Sequence, residues 1–75
     1  MQYDLEIDVS NTCCSAPIIR LSKEFKARQT GDIALVIANK ESVHTDIISY
    51  CATTGHSLVE EAQDGESYRF WIKIR

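Results

Sequence analysis

Proline occurs once in the 75 residues and glycine three times. With so few punctuating residues there is no linker, repeat or low-complexity segment, and the reading is one domain over residues 1–75. No apolar run approaches the roughly 20 residues that cross a bilayer. Met1-Gln2-Tyr3-Asp4 has neither the basic region nor the apolar stretch of a secretory signal. Basic residues are also scarce, eight against eleven acidic, for a net charge of −3. Non-specific nucleic-acid binding neutralises phosphates with Lys and Arg, so direct nucleic-acid binding is not expected.

Cysteine is limited to Cys13, Cys14 and Cys51. An odd number cannot all pair within the chain, and adjacent Cα atoms about 3.8 Å apart are too close for an ordinary disulfide. A disulfide scaffold is therefore excluded, and a reducing cytoplasm is the expected setting. Adjacent cysteines lack the spacer of a zinc half-site and the two histidines are isolated, so no metal or other cofactor is expected.

What is present is a 44% apolar content arranged in clear periods. Tyr3, Leu5, Ile7 and Val9 alternate with Asp4, Glu6 and Asp8, the signature of a half-buried strand. Ser10-Asn11-Thr12 breaks it, and Ser15 and Pro17 open a helix with Ile18, Leu21, Ser22 and Phe25 on its apolar face. Gln29-Thr30-Gly31-Asp32 ends that helix, Gly31 being the natural left-handed residue. Ile33 to Ala38 is an uninterrupted apolar run, read as a central strand. Ser42 caps a second helix carrying Val43, Ile47, Tyr50, Cys51 and Thr54, and Gly55 stops it. His56 to Gln63, the Asp64-Gly65 turn and Ser67 to Ile74 form a hairpin. The order β-α-β-α-β-β gives an α/β (α+β) two-layer sandwich: a four-stranded mixed sheet with both helices on one face.

The chemistry concentrates at the first strand-to-helix junction, Asp8 to Pro17. A cysteine just before a helix meets unpaired backbone N–H groups and the positive end of the macrodipole, and both favour the nucleophilic thiolate. With Cys14 at the N-cap, Ala16 N–H faces the sulfur, while Pro17 has none to give. The alternative is that Ser15 caps and Cys14 lies one position outside. The residues alone leave reactive and inert readings open.

In these positions the chain resembles the TusA/SirA-like sulfur carriers, whose hallmark is Asp-x-Arg-Gly-Leu-x-Cys-Pro-x-Pro between first strand and first helix. Asp8, Cys14 and Pro17 match it. Ser10, Asn11 and Thr12 stand for Arg-Gly-Leu, and Ser15 for the first proline. The likeness continues through Lys23, Gly31-Asp32, Asp46-Ile47, Tyr50-Cys51, Gly55-His56, Leu58 and Asp64-Gly65. The resemblance implies a persulfide on Cys14, supported by Asp8, Ser15, Ala16 and Pro17. It also implies a sulfur-donor protein (cysteine desulfurase or rhodanese-like) and a sulfur-acceptor protein. The alternative function is a non-catalytic binding or regulatory module whose altered motif has lost reactivity.

Cys13 is a secondary thiol able to attack a persulfide on Cys14, or else loop filler. Cys51 reads as a small buried hydrophobe. His56 reads as a structural residue at a helix end that favours its protonated form. His44 is placed on the exposed side of the second helix. Arg69, Trp71, Lys73 and Arg75 form a basic strip on the open sheet face, read as solvated surface with Trp71 covering the apolar strand beside it.

Overall fold

The computed structural model describes residues 2–12 and 14–75. Its elements are β1 (Leu5–Asp8), α1 (Ala16–Lys26), β2 (Ile33–Ala38), α2 (Glu41–Thr54), β3 (Ser57–Asp64) and β4 (Ser67–Lys73). The predicted β-α-β-α-β-β order is what the chain adopts. The sheet order is β1-β2-β4-β3, with β1 parallel to β2 and the β2–β4 and β3–β4 pairs antiparallel.

One core holds the layers together. Leu5, Ile7 and Val9, then Ala34, Val36 and Ala38, then Phe70, Ile72 and Ile74 face Leu21 and Phe25 of α1 and Val43, Ile47 and Cys51 of α2. Alternate residues of the sheet supply this face because successive strand side chains point to opposite sides. The other face pairs Glu6 with Leu35 and Leu35 with Trp71, so Trp71 sits between Leu35 of β2 and Glu60 of β3. Leu35 is only 6% exposed on that helix-free side. Its neighbours therefore cover it, and the indole N–H of Trp71 is itself buried with no acceptor among the described residues.

Several local expectations shift. Tyr3 is 46% exposed rather than on the buried face. It precedes the paired residues, and the carboxylate of Asp4 anchors the strand instead, accepting Ile33 N–H at 2.7 Å while Asp4 N–H donates to the Ile33 carbonyl at 2.7 Å. α1 ends at Lys26 with Ala27 as its C-cap; Gly31 is left-handed (φ 97°), but in the turn entering β2. Lys40, not Ser42, is the N-cap of α2, its carbonyl accepting Val43 and His44 N–H. Glu41 then occupies the first turn, where the helix dipole favours an anion. The hairpin turns at Gly65-Glu66, because Asp64 pairs with Ser67.

Both histidines also differ from their readings. His44 is half-buried, stacked on Tyr68 (5.3 Å between centroids) and Phe70 (5.6 Å), with Nε2 3.4 Å from Glu61 Oε1. It joins α2 to the hairpin instead of facing solvent. His56 does sit just past α2, but its pKa is lowered, not raised. Burial against Phe25 and Tyr50 disfavours the charged ring, and the Arg75 guanidinium adds repulsion. These outweigh the pull of the helix end.

Ile47 is fully buried at the α2–sheet contact. Ile47→Ala is expected to lower unfolding free energy by about 2–5 kcal/mol, read from urea denaturation midpoints. A loss under about 1 kcal/mol would mean that α2 is not packed as described.

Candidate functional site: the thiol at the head of the first helix

The segment from β1 to α1 is held from several sides. Asp8 ends β1, and its Oδ1 accepts Ser10 N–H at 2.9 Å. That backbone bond, followed by one from the Ser10 side chain, holds the Asp8 carboxyl below its usual range. Arg20 reaches back from α1 to donate from Nη1 to the Asp8 carbonyl at 2.8 Å. The Thr12 hydroxyl donates to the Val9 carbonyl. Asn11, at φ 63°, is clamped by Asn39 just past β2: Asn11 N–H donates to Asn39 Oδ1 at 2.8 Å, and Asn39 Nδ2 donates to Asn11 Oδ1 at 2.9 Å.

Cys14 follows at φ 67°, a left-handed backbone uncommon outside glycine, and is exposed. Such conformations cost about 1–3 kcal/mol and persist only where the surroundings over-determine them. The clamped loop on one side and α1 on the other do that here. Ser15 is the N-cap: its carbonyl accepts the first intrahelical bond, from Ile19 N–H at 3.0 Å. Cys14 therefore lies one position outside the helix, and not at the cap. Ala16 is the first helical residue, and Pro17, the second, is buried. Ser15 makes no side-chain capping bond and the first turn holds no acidic residue. The positive end of α1 is thus left uncompensated by its own side chains.

Across from this turn stands α2. Cys14, Ser15 and Ile18 on one side, and Asp46, Ser49, Tyr50 and Thr53 on the other, line an open groove of about 450 Å³. Three of the four α2 residues carry hydroxyls, and Asp46 is the only charged group in the lining. The thiol is thus brought together with Ser15, while Asp8, Ala16 and Pro17 shape the approach without lining the groove. Cys13 lies outside the described residues. Cys51 is buried, and its pKa is pushed up to about 11 by that burial, so it stays a thiol at neutral pH. Among the described residues no cluster of three His, Cys, Asp or Glu is placed to hold a metal.

Sequence reading missed Arg20, Asn39 and the α2 wall. The alternation Asp46, Ser49, Tyr50, Thr53 at helical spacing marks one face of α2, but only the fold sets it against Cys14.

Comparison with known proteins fits this geometry. The family model described as sulfurtransferase TusA matches residues 5–74. The chain belongs to the TusA family. It is 32% identical over 71 residues to the sulfur carrier protein TusA of Allochromatium vinosum (strain ATCC 17899 / DSM 180 / NBRC 103801 / NCIMB 10441 / D), covering 95% of this chain and 93% of that one. It is 28% identical over 71 residues to TusA of Pseudomonas entomophila (strain L48), covering 95% and 89%. The crystal structure of a SirA-like protein from Desulfitobacterium hafniense superposes with a TM-score of 0.80, covering 93% of this chain and 96% of that one, at 18% identity. That last likeness is one of fold. No helix among the described residues is long and apolar enough to cross a membrane.

The Asn11–Asn39 clamp gives a test of how the loop is held. Asn39→Ala is expected to cost about 0.5–1.5 kcal/mol, because Asn11 then exchanges its two exposed bonds for bonds to water. It should also speed amide exchange over residues 10–12 more than in β4. Unchanged exchange in the loop would show that the clamp does not hold it.

Proposed function

We propose that this TusA-family chain carries sulfur as a persulfide on Cys14. The observation that carries this reading is the exposed Cys14 in a left-handed turn, one residue ahead of the N-cap of α1, at the mouth of the α1–α2 groove. Asp8 fixes the turn leaving β1, Ser15 lines the same groove as Cys14, Ala16 begins the helix, and buried Pro17 anchors it. Cys13 is the secondary thiol of the scheme.

The transfer is a displacement at sulfur. The Cys14 thiolate attacks the terminal sulfur of a donor persulfide, R–S–SH; the new S–S bond forms as the donor's breaks, and the donor leaves as a thiolate. Cys14–S–SH then yields the same sulfur to an acceptor thiolate, regenerating Cys14. No net oxidation occurs in either step. The donor is a protein of the cysteine desulfurase or rhodanese-like class, and the acceptor belongs to a tRNA-thiolation, molybdenum-cofactor or sulfur-oxidation relay. The reaction requires a reduced thiol, which suits the cytoplasm. An open groove with one carboxylate favours a neutral or cationic segment of the donor over a small anion.

Incubation with a persulfide-loaded donor or polysulfide, followed by intact-mass measurement, tests the assignment. A gain of about 32 Da, one sulfur atom, is expected on the native protein and on Cys51→Ser, and none on Cys14→Ser. An adduct that maps to Cys13 or Cys51, or none at all, contradicts it.

A further inference from the structure

A second depression lies at the other end of α1, about 16 Å along the helix from the Cys14 turn. Its volume is about 240 Å³, and Lys26, Arg28, Arg75, His56, Ser22 and Tyr50 line it. Phe25 and Ile74 complete the wall, and no acidic side chain is among the lining residues. In a chain with eleven acidic and eight basic residues, three of the eight cations border this one cleft. Lys26 faces the negative end of α1, which accounts for one positive charge there. Arg28 and Arg75 lie beyond the helix.

The donors are also arranged in advance. Arg75 Nη1 donates to the Thr54 carbonyl at 3.4 Å, and its guanidinium packs over Gly55 so closely that a Cβ there would lie 2.6 Å from Nη1. Arg75 N–H donates to His56 Nδ1 at 3.1 Å, so the neutral ring carries its proton on Nε2. We propose that this cleft binds a phosphate-type tetrahedral oxyanion, held by Lys26, Arg28 and Arg75 with His56 Nε2–H as a further donor. Charge-assisted bonds from several converging donors are the usual chemistry of such sites. The cleft is separate from the Cys14 groove, with Tyr50 lining both.

The test is an NMR titration of the intact labelled chain with sodium phosphate, compared with sodium chloride at equal ionic strength. Saturable movement of the His56 ring signals in phosphate, absent in chloride, is expected. Lys26→Ala and Arg28→Ala, both at exposed positions, should each weaken the fitted affinity about tenfold, while Cys14→Ser leaves it unchanged. Competition by glycerol 3-phosphate assigns the site to phosphate esters, and its failure assigns it to the inorganic ion. Equal, unsaturating shifts in both salts, or substitutions without effect, would overturn the proposal and leave the sulfur-carrier reading untouched.

Discussion

Burial of Pro17 three residues after an exposed Cys14 is the constraint on which the rest depends. Proline in the first turn of α1 packs into the core, fixing where the helix begins and how it meets the sheet. The chain must then rise from buried Val9, just past β1, to the surface and return within seven residues. A left-handed backbone at Asn11 and again at Cys14 makes that reversal. The price of those conformations is offset by the Asn11–Asn39 clamp, the Asp8 turn and the Arg20 bond to β1.

The same chain sets two cysteines in opposite environments. Cys51 is held as a thiol in the core, with its pKa pushed up to about 11. Cys14 stands outside the helix, at the end where α1 has neither an acidic residue nor a side-chain cap. One sulfur is packed into the core while the other is exposed at the mouth of the groove. Site selectivity of this kind needs no deep pocket, which a four-stranded sheet with two helices has little volume to build.

Much of the fold is legible because its signals are local. Alternation in β1 and β4, and apolar spacing in α1 and α2, need no knowledge of distant residues. The misread positions are those decided from afar. The choice left open between Cys14 and Ser15 as the cap of α1 falls to Ser15, with Cys14 left-handed at the end of a loop whose Asn11 is held by Asn39, 28 residues away in sequence. His44 packs inward because Tyr68 and Phe70 of β4 offer rings to stack on. His56 resists protonation because it is buried against Phe25 and Tyr50, and Arg75, 19 residues later, folds back beside it to add repulsion. The candidate thiol itself was visible, since its position relative to the strand and helix is local; the α2 wall of its groove was not.

The central claim is that the folded junction activates Cys14, and its alkylation rate as a function of pH tests this most directly. Peptide mapping would follow Cys14 separately from Cys13 and Cys51, in the native chain and in urea. The account predicts that folding moves the Cys14 reactivity midpoint to lower pH and raises its rate at neutral pH above that of the unfolded chain. An equal or higher midpoint in the native state would contradict it.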